Sequence, residues 1–463
     1  MIFKNRAEED FQVKEITSRQ MKDVISRCAD MYRGVPYWVS AEDNIKTINF
    51  AKSVCSEIAR LATLGIKIQI GGGKRGTWLQ EQIDKVYFNL RYWVEYGCAY
   101  GTVIIKPNNE GFDIFTPFNS LITKVDGNNN ITGIVFLDTY TENDKHYSRL
   151  EYHEFVEEQE NGKTVYPYYI ENKTYVSKSS NSIGDPIPIT QTKWANLAPI
   201  KRILKENSER LDGPMFGVLR TPQANNVDIS SPLGLPVFAE AIEEMKDLDI
   251  AYSRNAGEIF DSEKIVLADD RLMCDSGKNL KTRGVADVKL PHYVKNVFGN
   301  SPEEFYREIN PQLNTDIRLS GINALLSQIG YKCGFSNGYF VFNEKSNMAT
   351  ATQVEADDRR TIQLIKDVRD KLESCLNGAI YAMNVYADLY DFAPIGTYKV
   401  VYDFGDITYN REEDRARAYQ LTLQGFYTKE YYLEKYEGFT PEDAAKMVAA
   451  AQPKEEPGFF KEE

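Results

Sequence analysis

The residues able to do chemistry are few, and none completes a catalytic set. Gly71-Gly72-Gly73-Lys74-Arg75-Gly76-Thr77 lies between a strand-like run at 66–70 and a helical run, where a phosphate-binding loop would sit. Such a loop needs G-x-x-x-x-G-K-[ST], so that backbone N–H groups cradle phosphate and the Lys reaches the outer phosphates. Here Lys74 precedes the last glycine and is followed by Arg75. The segment reads instead as a flexible surface loop. His146 and His153 lie near Asp144 and Glu154, but no Gly-x-Ser-x-Gly accompanies them. They read as ordinary strand or surface histidines, and with His292 they are too few for a His-rich metal site. Cys28, Cys55, Cys98, Cys274, Cys333 and Cys375 are scattered without a CxxC, against structural zinc and thioredoxin-type redox chemistry. No cofactor or metal is expected, and a reducing cytoplasmic folding compartment is.

Two charge clusters remain. Glu240, Glu243, Glu244, Asp247 and Asp249 fall within ten residues. With no His or second acidic group at ligand spacing, they read in one chain as a solvated helix face. Lys278, Lys281, Arg283, Lys289 and Lys295 make 262–309 locally basic, while Asp269, Asp270, Asp275 and Asp287 offset much of that charge. A mixed-charge protein-binding face is expected there.

The chain of 463 residues is 42% hydrophobic, enough to bury a real core. Its formal charge of −13 disfavours a tight nucleic-acid binder, which carries a basic surface, though not a protein that handles DNA without gripping it. No apolar run approaches the ~18 residues of a spanning helix, and Met1–Arg19 lacks the apolar region of a secretory signal. The 29 tyrosines suit either strands or surfaces shared with a partner.

The elements that would position these groups can be read from periodicity. Met21, Ile25, Cys28 and Tyr32, then Val54, Ile58 and Leu61, predict helices, and Thr77 with Gln80 suggests a capping box for a further one. From Gly101 short β-prone runs separated by Pro/Asn/Gly turns predict an antiparallel meander. Ser179–Pro188 reads as a polar loop. After a turn-rich stretch at 225–236, Pro236 suits the first turn of a helix reaching Asp261, with Phe238, Ile242, Met245, Leu248, Tyr252 and Ile259 as its stripe. Strands are expected at 264–267 and 285–290. Asn310-Pro311 opens a second helix, Thr352-x-x-Glu355 caps a long one, Lys399–Phe404 is a strand, and 411–451 is helical.

In this order, Ile309-Asn310-Pro311-x-Leu313-x-x-Asp316-Ile317-Arg318, Leu325-Leu326-x-x-Ile329, Gly334-Phe335-Ser336-x-Gly338-x-Phe340 and Ala349-Thr350-Ala351-Thr352-Gln353-Val354 resemble tailed-bacteriophage portal proteins, the head–tail connectors, of the type found in phages of Gram-positive hosts. Family members usually show Gly-Leu-Ser and Thr-Ala-Thr-Glu-Val here; this chain has Phe335 for the Leu and Gln353 for the Glu. Leu248-Asp249-Ile250 with Asn255-x-x-Glu258, Asp403-Phe404-Gly405-Asp406, and Gly438-Phe439-Thr440-x-Glu442-x-Ala444 fit the same series.

The resemblance implies an α+β portal-type fold. Residues 1–233 would be an α/β wing, 234–261 and 310–333 a two-helix stem, and 262–309 a small αβ clip. Residues 334–351 would be a tunnel loop, 352–410 a long wing helix and a returning strand, and 411–463 a helical crown with a charged tail. It implies a homo-oligomeric ring, typically a dodecamer, at one capsid vertex of the virion, assembled in the host cytoplasm. Double-stranded DNA would pass through without sequence specificity. The terminase large subunit, a head-completion or tail adaptor, and the major capsid and scaffolding proteins would be partners, and no membrane would be. It would not be an enzyme. Asn343, Glu344, Lys345, Ser346 and Asn347 would lie nearest the DNA, the five acids at 240–249 would face the lumen, and the five cations at 278–295 would face clip partners. An acidic lumen makes physical sense, since a basic one would brake the duplex through counterion release. The competing expectations are a cytoplasmic hydrolase acting on nucleotides or glycans, and a virion assembly component without a channel.

Overall fold

The computed structural model describes the chain outside residues 1, 41, 43, 109, 161, 206–208, 262–264, 270–292, 297–305, 310–314, 342–350, 406–410, 438–440 and 452–463. For 2, 256–261, 265–269, 293–296, 306–309, 315, 351–358, 411–416, 434–435, 441–443 and 451 it describes the backbone alone. The fold is mixed α and β and divides into two units, Met1–Phe404 and Gly405–Glu463.

The first unit begins with α1 (Ile2–Phe11), α2 (Arg19–Tyr32), α3 (Phe50–Ala62), β1 (Lys67–Gly71), α4 (Gly73–Asp84) and α5 (Tyr87–Tyr100). Ser18 caps α2, its Oγ accepting from the Met21 N–H at 3.3 Å, and Met21, Ile25 and Cys28 turn one face inward. The expected Thr77/Gln80 capping box is absent. Thr77 lies inside α4 and donates to the Gly73 carbonyl. Gln80 instead exchanges hydrogen bonds with Ile68 and Ile70 and covers the open edge of β1. The glycine-rich segment is not a flexible loop either. It ends β1 and opens α4, and it buries Arg75, whose guanidinium reaches the Asp388 carboxylate and the Asn384 carbonyl.

The strands that follow are β2 (Thr102–Pro107), β3 (Phe112–Phe115), β4 (Ser120–Val125), β5 (Ile131–Glu142), β6 (Lys145–Phe155), β7 (Glu158–Glu160), β8 (Lys163–Val165), β9 (Tyr168–Ser177), β10 (Asp185–Ile187), β11 (Ile200–Ile203) and β12 (Gly217–Arg220). β10, β9, β6, β5 and β4 neighbour one another in that order, antiparallel throughout, and β11 adds to β9. Part of the expected polar loop at 179–188 is thus strand. Alternation sorts the sheet's two faces. Leu121, Val135, Leu150, Tyr152 and Tyr175 pack on Phe3 and Ala7 of α1. Ile134 and Phe136 pack on Ile104, Phe115 and Phe216 of the smaller β12-β2-β3 sheet and the strand entry beside it.

That second interface also holds charge. Lys106 and Arg149 both pair with Glu151, and Arg149 also meets Asp138. His153 places Nε2 2.8 Å from Glu151 and Nδ1 3.0 Å from the Tyr168 hydroxyl, which accepts from the Met215 N–H. Burial opposes the Glu151 carboxylate, but Arg149 and Lys106 more than offset it and hold its pKa well below the usual range. Burial pushes the His153 pKa down. A neutral imidazole donating from Nε2 and accepting at Nδ1 satisfies every member of this chain. His153 is therefore a core hydrogen-bonding group.

The unit continues with α6 (Ile242–Asp261), β13 (Ile265–Asp269), β14 (Tyr293–Asn296), β15 (Tyr306–Ile309), α7 (Thr315–Lys332), α8 (Ala351–Leu389) and β16 (Lys399–Asp403). A short 3₁₀ turn at Ala239–Ala241 precedes α6, so the α-helix starts later than Pro236 suggests. α8 spans 39 residues, about 58 Å at 1.5 Å per residue. It packs on β12 where Gly217 meets the helix backbone. Arg369 of α8 is buried and donates to the carbonyls of Leu61, Ala62 and Leu64, satisfying the C-terminal end of α3. β16 pairs antiparallel with β1 from Lys67↔Asp403 to Gly71↔Lys399. The second unit holds α9 (Arg411–Leu423), α10 (Lys429–Tyr432), a π-helical turn at Leu433–Glu437, and α11 (Pro441–Ala451).

Candidate functional site

The charged helix α6 is held at its root by its approach. The Thr221 hydroxyl donates to the Leu235 carbonyl at 2.6 Å, and Leu235, Val237 and Phe238 are buried. Ala241, Met245 and Leu248 continue that buried stripe along the helix. Tyr252, expected on the stripe, is exposed.

The five acids do not share one environment. Glu240, Glu243 and Asp247 are exposed, at spacings that place them on the face away from Met245 and Leu248. Glu244 is half-buried and turned to α7, where Lys332 Nζ lies 2.5 Å from its Oε1 and Gln328 Nε2 donates at 3.4 Å. Asp249 is buried, which corrects its expected place in a lumen. Its Oδ2 accepts from the Trp38 indole at 2.9 Å and its Oδ1 from the Ile48 N–H at 3.0 Å. The helical period carried that signal, because 241, 245, 248 and 249 form one inward stripe. Nothing in the sequence pointed to Trp38 as the partner.

α7 runs antiparallel to α6. Its C-terminal Lys332 meets Glu240 and Glu244 at the α6 root, and beyond their other ends Ile265 of β13 pairs with Ile309 of β15. β13 pairs parallel with β14 and antiparallel with β15. Lys295 is a strand residue of β14, opposite Ala268. Lys278, Lys281, Arg283 and Lys289 lie outside the described residues, as do the strand expected at 285–290 and the Asn310-Pro311 helix start.

α7 closes in a Schellman motif. The Phe335 N–H donates to the Gly330 carbonyl at 2.9 Å and the Gly334 N–H to that of Tyr331 at 3.1 Å. Gly334 has φ +92°, where a side chain would be strained. The chain then knots on itself. Phe335 is buried against Phe340, and Phe340 meets Phe50 of α3 edge-on at 5.1 Å. Ser336 and Thr361, both buried, exchange hydrogen bonds between this turn and α8. The Tyr339 hydroxyl donates to Glu57 at 2.5 Å. Residues 334–341 are thus a rigid anchor immediately before 342–350. Asn343, Glu344, Lys345, Ser346 and Asn347 lie in that stretch, outside the described residues.

Chemically the described part of this surface is charged, with its cations and acids partly paired. Cys333 beneath it is buried, and burial, with Glu240 and Glu244 adding, raises its thiol pKa. Among the described residues no group of three His, Cys, Asp or Glu is placed to hold a metal, and no helix is long and apolar enough to cross a membrane. No family model matches the chain, and no curated protein does. Among solved structures, a chain described as "Neck of native GTA particle computed with C12 symmetry" is similar over 93% of this chain and 97% of that one, at 10% identity and a TM-score of 0.42. At that TM-score the likeness assigns neither fold nor function here.

One more surface bears on assembly. On α5, Phe88, Tyr92 and Tyr96 recur every four residues and are 85%, 56% and 36% exposed. An aromatic row of this kind on a helix is what a partner surface presents. Tyr152, Tyr168 and Tyr175, by contrast, are buried in strands.

Proposed function

We propose that the chain is a portal subunit, one of a ring of copies through which double-stranded DNA enters and leaves a capsid. The observation that carries this reading is the excursion and return of the chain. One helix leaves the wing-like body, a small sheet intervenes, and a second helix comes back beside the first. A short anchored turn then hands over to a 39-residue helix, and β16 rejoins β1. This is the order of parts that the sequence resemblance implies. In this reading α6 and α7 are the stem, 262–309 is the clip that meets terminase and adaptor, and 334–351 is the tunnel loop, entered through the packed turn at 334–341. The aromatic row on α5 supports an assembly, since copies in a closed ring meet through two different patches of the same chain. The ring does no chemistry of its own.

Glu243 and Asp247, with Glu240, are the exposed acids that would repel passing phosphates, although Lys246 lies 4.0 Å from Glu243 and the Asn226 amide donates to Glu240 at 2.9 Å. Glu244 is excluded from that role because it is tied to Lys332. Replacing Glu243 and Asp247 by Lys is expected to leave rings intact, to slow DNA passage severalfold in a packaging assay, and to make that rate more sensitive to salt. Unchanged passage at low salt would remove these acids from the lumen.

A further inference from the structure

A cavity of about 510 Å³ opens where the β4–β5 turn, the strand entry into β12 and α8 meet. Its charged lining consists of Arg210, Arg220, Lys371, Asp126 and Asp212. The carboxylates are already engaged. Asp212 pairs with Lys205 at 2.7 Å. Asp126 accepts from the backbone of Asn128 and Asn130 and from the Asn130 side chain at 2.8–3.0 Å. Those hydrogen bonds hold its pKa below the ordinary value.

The cations are not engaged in the same way. Arg220 is half-buried and gives one Nη2 hydrogen bond to the Asn129 carbonyl at 2.8 Å. Arg210 lies over the Phe155 ring, 4.0 Å from its centroid. Lys371 is exposed on α8. Among the described residues none of the three meets a carboxylate within 4.0 Å, although Asp126 is near enough to act on Arg210 and Arg220. Burial lowers the pKa of Arg220, as expected of a cation desolvated beyond its compensation. A half-buried guanidinium with spare donors, converging with a second guanidinium and an ammonium on an open volume, is a setting for an oxyanion. The volume exceeds what one phosphate fills and falls in the range of small-ligand sites.

We infer that this cavity binds a ligand carrying two or more phosphoryl groups, held by Arg220 and Lys371 with Arg210 at its rim. The same chemistry is offered by a free diphosphate and by the backbone of a nucleic acid. The site stands apart from the α6 acids and does not depend on the portal reading.

Pyrophosphate titrated into the full chain is expected to raise its thermal unfolding midpoint in a saturable way. Lys371→Gln removes an exposed side chain and leaves the fold intact; it should weaken binding about tenfold, in line with the loss of one charged contact. Arg220→Gln should weaken it further, while Lys52→Gln on α3 should change nothing. A 20-base-pair duplex that competes with pyrophosphate would identify nucleic acid as the source, and one that does not would identify a free phosphate compound. No midpoint shift at millimolar pyrophosphate, or equal affinity in the wild type and Lys371→Gln, would overturn the site.

Discussion

Glu151→Gln is expected to destabilise the first unit by about 3–5 kcal/mol, the range for removing one partner of a buried ion pair. The carboxylate is the common partner of Lys106, Arg149 and His153 between the two sheets. An amide cannot neutralise Lys106 and Arg149, and Asp138, which reaches both, brings a single charge against two cations. The measurement is the unfolding midpoint in denaturant, followed by tyrosine and tryptophan fluorescence. A loss under about 1 kcal/mol would mean the network is replaceable by any polar contact. The variant should also alter the pH profile. The folded Glu151 pKa lies below its ordinary value of about 4.3, so its contribution is complete above that pH and is lost as pH falls through the folded value. The folded His153 pKa lies below about 6.5, so the unfolded chain takes up a proton that the folded one refuses. Wild-type stability should therefore erode in two stages, the first beginning near pH 6.5. In Glu151→Gln the more acidic stage should disappear.

Gly217→Ala is expected to cost about 3 kcal/mol or more, at the upper end for overpacking. A Cβ there would lie 2.0 Å from the Cys375 carbonyl oxygen and 2.8 Å from the Ala379 nitrogen, both backbone atoms of α8. Neither can rotate away, and Gly217 is fixed in register opposite Ile105 of β2. Strand and helix would have to part. Gly378→Ala, across the same contact, meets its nearest atom at 3.1 Å and should be milder. Soluble yield and unfolding midpoint of both variants test the ranking. Equal, small effects would show that β12 does not sit close on α8.

These two positions mark what a sequence can and cannot disclose. The meander that contains β5 and β6 was legible, because short β-prone runs alternate there with Pro/Asn/Gly turns. The long helix α8 and the strand at β16 were legible too, the helix from its extended capped run and the strand from its short apolar run. Glu151, Arg149 and His153 occupy inward positions of β6, yet a period-2 pattern cannot say that a partner Lys106 waits on another strand. The pairings of β12 with β2 and of β16 with β1 join residues far apart, which no local pattern encodes. Arg75 looked like part of a polar loop because its partner Asp388 lies at the far end of the chain's longest helix. At the candidate site, the acidic row was visible, but its division was set by Trp38 and Lys332 on other elements.

The claim that copies of this chain close into a channel is tested most directly by native mass spectrometry of the purified protein, with end-on images of the same sample. The expected result is one dominant species of about twelve copies with a central hole wide enough for a DNA duplex. Phe88→Asp with Tyr92→Asp should shift it toward single chains. A wild-type protein that stays monomeric at high concentration, or that closes a ring too narrow for a duplex, would contradict the account.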